Sequence, residues 1–221
     1  MNYPFAFPHV EASQQDRSTA IGFLPIGAWI CSSSVLRHSQ GGHKTMIFLI
    51  CASSFVPQII IDHYAAADQR RWTRLQEQPL WIFADLLHVF GAWGQIWNTT
   101  KQNLAVYHQE VHGYPRARPL LDLTRGLHNE TAKILSVREQ LRVHSSALTR
   151  FLHLKDVTAA QELAERAQEH LEDISYHEGT SQVILRQLEN LMSLVPSPDQ
   201  WRSEWHWLIV VFRIRHSTSR L

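Results

Sequence analysis

The 221 residues suffice for one or two domains with a sizeable core, and 21 Lys+Arg against 20 Asp+Glu leave a formal net charge of +1. That balance excludes the basic surplus that draws proteins to nucleic acid, and the 44% hydrophobic content is ordinary for a globular chain. Two cysteines, Cys31 and Cys51, amount to neither a disulfide framework nor a zinc set; both are expected to be buried free thiols, and they fit a reducing compartment.

Met1–Val10 carries two prolines and no basic stretch, so no secretory signal is read there. Residues 1–62 form one compositional unit, broken by Pro4, Pro8, Pro25, Ser32-Ser33-Ser34 and Gly41-Gly42. Its apolar runs, Ile21–Ile30 and Met46–Val56, have the length and β-branched content of strands or short buried segments. A small, incomplete α/β or β-rich N-terminal piece is expected. Gly41-Gly42-His43-Lys44 lacks the glycine spacing of a phosphate-binding loop. The longest apolar run, Met46–Ile61, is interrupted by Pro57 and Gln58 and falls short of the roughly 18–20 residues of a membrane span.

Residues 63–195 read as an antiparallel bundle of three long helices, which makes the chain mainly α. After a polar stretch to Gln78, Pro79 stands where a first-turn proline is tolerated. Apolar residues then recur at 83, 86/87, 90, 93, 97, 104, 107 and 111, one helical stripe in which Gly91 and Gly94 each cost about 1 kcal/mol relative to Ala. Gly113 and Pro115 stop it. The second helix is expected from near Pro119 to Leu154, with a gap in its stripe at Glu130 and Thr131. The third starts near Asp156 or Thr158, where Thr158 and Gln161 have capping-box spacing, and its stripe runs 160, 164, 167, 171, 174, 185, 188, 192, 195. Glu178, Gly179 and Ser181 fill the gap in that stripe, so a kink is expected there, and Glu162 pairs with Arg166 on the outer face. Each helix is roughly 32–40 residues, about 50–60 Å, and short connections force antiparallel neighbours. Two glycosylation sequons, at Asn98 and Asn129, fall inside predicted helices and are read as chance. After Pro196 and Pro198, residues 196–221 form a Trp/Arg-rich tail, Trp201 to Arg220, suited either to touch lipid headgroups or to cap the bundle.

Candidate chemistry is sparse. His108 and His112 stand at i,i+4, one face of one helix, and are the weak metal candidates; the order is not that of a zinc protease and no third ligand is evident nearby. Asp85 and His88 are spaced for a carboxylate to orient a base, but no nucleophile accompanies them. His170, His177 and Glu178 lie near the gap of the third helix, where a polar seam residue sets register or faces solvent. No catalytic residue and no bound cofactor is assigned, and the chain reads as a non-enzyme.

The segment His63-Tyr64-Ala65-Ala66-Ala67-Asp68, then Arg71-Trp72, then Gln78 to Leu87 with Trp93 and Trp97 beyond it, resembles the fungal branch of the CorA-like magnesium-transporter family. Leu121, Asp122, Arg125 and His128 match the start of that family's second long helix, and the resemblance spans residues 63–195. It implies a cytoplasmic α/β domain followed by long helices, the last continuing into the membrane as the pore helix ahead of a Gly-Met-Asn motif. Arg186 to Met192 resembles the run-up to that helix, but Pro196 interrupts, no Gly-Met-Asn occurs and no span of about 20 apolar residues follows. The resemblance therefore implies a truncated relative that keeps the cytoplasmic bundle and does not conduct ions alone. Association with Mg2+ follows from the resemblance only, self-association or protein partners are expected, and membrane association requires that missing pore helices or a partner supply it. The location implied is cytoplasmic, at most membrane-peripheral; the alternative is a helical scaffold or protein-interaction module with no transport role.

Overall fold

The computed structural model describes residues 2–12, 19–32, 45–51, 53–65, 69–91, 93–112 and 120–195, and the chain is mainly α-helical. The N-terminal piece is a three-stranded antiparallel meander of β1 (Asn2–Ala12), β2 (Thr19–Ser32) and β3 (Thr45–Cys51), with β2 in the centre. Its register pairs Phe7 with Leu24 and Trp29 with Phe48. Pro4 and Pro8 are accommodated because β1 is an edge strand, and Pro25 because the β3 ladder covers only residues 26–32 of β2. Alternation puts Leu24, Ile26 and Ala28 on the inner face with Phe7, and Trp29, Met46, Phe48 and Ile50 on the outer one.

The apolar run from Met46 to Ile61 is divided between two elements, β3 and the helix α1 (Phe55–Ala65). Helix α1 crosses the compositional boundary at residue 62, so the N-terminal piece and the bundle share it. The polar stretch that follows contains α2 (Gln69–Glu77), a finding that charge alone hid.

The first long helix is two helices, α3 (Trp81–Phe90) and α4 (Trp93–His112), where one continuous rod was expected. The break falls at Gly91, whose N–H donates to the Leu87 carbonyl while its own carbonyl accepts from Trp93. A Cβ at Gly91 would collide with the Leu87 carbonyl oxygen, so only glycine fits this corner. Gly94, the second residue of α4, has open space around it.

The other two rods have the expected proportions. Helix α5 (Leu120–Leu152) has 33 residues and α7 (Gln161–Leu194) has 34, joined through the single turn α6 (Lys155–Thr158). Thr158 donates its hydroxyl to the Lys155 carbonyl and closes α6; Ala160 is the N-cap of α7, so no capping box forms. Gly113, Pro115 and residues 196–221 lie outside the described residues.

Cross-helix contacts define the up-down-up order. Phe83, Trp93 and Tyr107 of the first rod meet Phe151, His144 and Gly126 of α5, a descending series that marks antiparallel packing. His88 meets Arg166 and Trp97 meets His177, sequence separations of 78 and 80, so the first rod runs parallel to α7. Helix α7 is unbroken through residues 178–181, where a weakness or kink was expected: Ser181 is buried and donates to the Glu178 carbonyl, and Gly179 faces solvent. Of the expected α7 stripe, Ala167, Ile174, Leu185 and Leu188 are buried and Ala160, Ala164, Leu171, Met192 and Val195 are half-buried against the core, while Leu163, His170, Ser181, Ile184 and Leu191 complete the buried seam. Two of these, His170 and Ser181, are polar, which the apolar pattern hid.

The seam between α5 and α7 is the main source of stability. Leu127, Ile134, Val137, Leu141, Leu163 and Leu191 are all fully buried, each contributing roughly 1.5–3 kcal/mol of transfer free energy. At the level of the sheet, Phe7 packs on Phe90 and His144, with ring centroids 5.7 and 5.1 Å apart, which seats β1 between the first rod and α5. Leu141→Ala, at a fully buried seam position, is expected to cost about 2–5 kcal/mol in urea unfolding, against under about 0.5 kcal/mol for the exposed Leu135→Ala.

Candidate functional site

The densest polar arrangement lies where α1, α2 and α3 meet α7. Asp85 is buried at 7% exposure because α3 is inserted between the α1–α2 pair and the long helices and buries seven consecutive residues, Trp81 to Leu87. Its carboxylate accepts from the Tyr64 hydroxyl at 2.6 Å and from Arg74 at 2.9 Å. Arg74 also lies flat over the Trp81 ring, 3.7 Å from its centroid, so the guanidinium is held by a charge on one side and a π face on the other. Burial and the bond to Asp85 raise the Tyr64 phenol well above its ordinary range, leaving it a permanent donor.

Histidines surround this carboxylate. His63 Nε2 stands 3.7 Å from Asp85, too far for a hydrogen bond, and Arg71 reaches the His63 carbonyl at 2.7 Å and its Nδ1 at 3.4 Å. His88 lies 6.0 Å from His63, ring to ring, and its Nδ1 is 3.0 Å from Arg166 of α7. Arg166 donates in addition to Glu169 at 2.7 Å, which replaces the expected pairing with Glu162: the side chain turns toward His88 and the next turn of its own helix. One turn further along α7, His170 is buried at 8% exposure with Nε2 unpaired. Desolvation lowers the pKa of His63, His88 and His170, that of His170 to about 4, with neighbouring guanidiniums adding to the effect. All three rings are therefore neutral at neutral pH.

The sequence candidates are placed as follows. Asp85 and His88 do come together, but Asp85 is engaged with Tyr64 and Arg74 and orients no base. His108 and His112 stack on α4, centroids 5.9 Å apart, and both are exposed. Among the described residues no group of three or more His, Cys, Asp or Glu side chains is placed to hold a metal ion. His177 accepts from the Trp97 indole at 3.0 Å, and Glu178 faces Arg142 of α5 at 3.7 Å, so the gap residues of the third helix are contacts between rods. Cys51 is a free, half-buried thiol and Cys31 lies in β2. Gly41 to Lys44 and the Trp201–Arg220 tail fall outside the described residues.

Sequence reasoning missed the gathering of Tyr64, Arg71, Arg74 and Arg166 around Asp85 and His88. Tyr64 and Asp85 are 21 residues apart and Arg166 and His88 are 78 apart, and no local spacing rule spans such distances. It also missed Glu130, buried at 5% exposure and paired with Lys133 at 2.7 Å, whose position in the stripe gap was the available signal. Chemically the cluster is a structural ion-pair network with neutral imidazoles. It carries no arrangement of nucleophile, base and orienting group.

No family model and no curated protein matches the chain. Asp85→Ala, which strands Arg74 and the Tyr64 hydroxyl, is expected to cost about 2–4 kcal/mol in chemical denaturation at neutral pH. With two ligands at the His108/His112 pair, the amount of zinc retained on gel filtration should be the same for the native chain and for His108→Ala/His112→Ala.

Proposed function

We propose that the chain is a non-catalytic assembly module of the CorA-like kind, a cytoplasmic helical domain related to magnesium transport that does not conduct ions by itself. The observation that carries this reading is the order and proportion of the elements. A small sheet and short helices precede two antiparallel rods of 33 and 34 residues, the order that the resemblance of residues 63–195 implies. Of the segments quoted for that resemblance, Leu121 to His128 lies at the start of the long helix α5, as the resemblance implies, and Trp81 to Leu87 lies in α3, a helix of 10 residues where the resemblance implies a long one. Among the described residues no helix is long and apolar enough to cross a membrane, so any attachment to one is through a partner or through residues beyond those described.

A second reading, a protein-interaction scaffold without a transport role, is favoured by the outer face of the sheet. Trp29, Met46, Phe48 and Ile50 are each about half exposed, and Phe55 and Ile59 of α1 are exposed as well. Strand β3 is apolar on both faces, a pattern typical of strands covered on both sides. Both readings require the chain to associate, with itself or with another polypeptide.

Light scattering on the purified chain separates them. Assembly is expected, with a mass above the 25.6 kDa of one chain, and Phe48→Ser/Ile50→Ser on the outer sheet face should return it to monomer. Exchange of sodium for magnesium at equal ionic strength shifts the assembly on the CorA-like reading and leaves it unchanged on the scaffold reading. A chain that is monomeric in both salts, alone and with candidate partners, removes both.

A further inference from the structure

Two of the contacts that hold the first rod to α7 share one chemical peculiarity. His88 on α3 faces Arg166 of α7 through Nδ1 at 3.0 Å, and His177 on α7 faces the Trp97 indole of α4 through Nδ1 at 3.0 Å. A guanidinium and an indole N–H can only donate, so each imidazole nitrogen must be the unprotonated acceptor. An imidazolium has no acceptor nitrogen. Both contacts therefore exist only with neutral rings, and protonation turns each into two donors facing one another.

We propose that His88 and His177 form a two-point acid latch, through which mild acidification releases the α3–α4 rod from α7 while the α5–α7 hairpin stays closed. The latch goes beyond the assembly reading and does not depend on it. Around His88, Arg166 of α7 and Arg71 and Arg74 of α2 disfavour the imidazolium, and Asp85, which favours it, is already bound to Tyr64 and Arg74; the rings of His63 on α1 and His170 on α7 stand nearby. On α7, Glu169 is engaged with Arg166. His177 has Asp173 on its own helix as a favourable neighbour, the Trp93 and Trp97 rings of α4 against it, and an adjacent Glu178 already paired with Arg142 of α5. Desolvation leads the lowering of both pKa values, with His88 exposed at the surface and His177 half-buried, and the buried ring of His170 is held at about 4.

The sign follows from linkage. A ring whose closed-state pKa lies below its open-state value, ordinarily about 6.5, binds its proton more tightly when the latch is open. Closure is at full strength above that value and weakens as pH falls through it toward the lowered one. Each latch histidine contributes up to about a tenfold change in the closed-to-open ratio per pH unit, so two contribute up to about a hundredfold. The α5–α7 seam rests chiefly on Ile134, Val137, Leu141, Leu163 and Leu191, and the rings buried along it are His144 of α5 and His170 of α7, the latter lowered to about 4, so α5 is followed beside residues 81–112 in the test.

Amide hydrogen exchange on the full chain tests this, with intrinsic rates corrected for pH, between about pH 7 and about pH 5. The expected result is that residues 81–112 lose protection steeply with acid while residues 134–151 of α5 keep theirs. His88→Asn/His177→Asn keeps a side-chain oxygen to accept from Arg166 and Trp97 but does not titrate, so its 81–112 protection should be flat over the same range. Should the double variant fail to fold at neutral pH by circular dichroism, His177→Asn alone should cut the response to about tenfold per pH unit. The latch is overturned if 81–112 keeps its protection in acid, if α5 opens in step with it, or if the Asn variants respond as the native chain does.

Discussion

The antiparallel seam between α5 and α7 is the interaction on which the other contacts hang. Two helices of 33 and 34 residues face each other through side chains that are almost wholly withdrawn from water, and the turn α6 fixes which end meets which. Isolated helices of this composition would be marginal in water, so the seam is what makes them persistent. With α7 unbroken over 34 residues, its other side offers a platform. Arg166, His170 and His177 stand along it at the levels where α3 and α4 pass.

What docks on that platform is held differently. The first rod is broken at Gly91, and its attachment mixes apolar burial, at Phe83, Phe90, Trp93 and Trp97, with directional polar contacts to α7. Helices α1 and α2 attach through Val56, Ile60 and Leu75 and through the Asp85 network more than through a broad apolar face. Apolar contacts are indifferent to protonation, whereas charged and imidazole contacts are not. The α5–α7 hairpin rests mainly on the first kind, and the attached layer mixes both.

The same division bears on function. The Asp85 carboxylate accepts from a phenol and a guanidinium and so ties α1, α2 and α3 together. Among the described residues, Trp29, Met46, Phe48 and Ile50 leave the outer face of the sheet apolar and about half exposed. That face stands on the opposite side of the sheet from Phe7, whose ring seats the strands on the bundle. A partner binding there would engage the sheet without disturbing the seam.

The three-rod, up-down-up arrangement and its mainly α character were legible in the one-dimensional pattern. Apolar residues such as Leu123, Leu127, Ile134, Leu141 and Leu148 recur at helical spacing over many turns, and periodicity is a local property that any window of the chain displays. The strands were legible in part, from the β-branched runs of β2 and β3, but the run from Met46 to Ile61 carries no internal mark of where extended chain becomes helix. The tertiary structure alone decided the rest. Gly91 breaks a rod where Gly94, alike in sequence, does not, because only at Gly91 does the chain turn against the Leu87 carbonyl. Glu130, His144, His170 and Ser181 are buried although their side chains are polar, because partners or packing from other elements receive them. The Asp85 network gathers residues from four helices, and which distant side chain completes a hydrogen bond is set by how the helices stack, a relation that no spacing within one helix encodes.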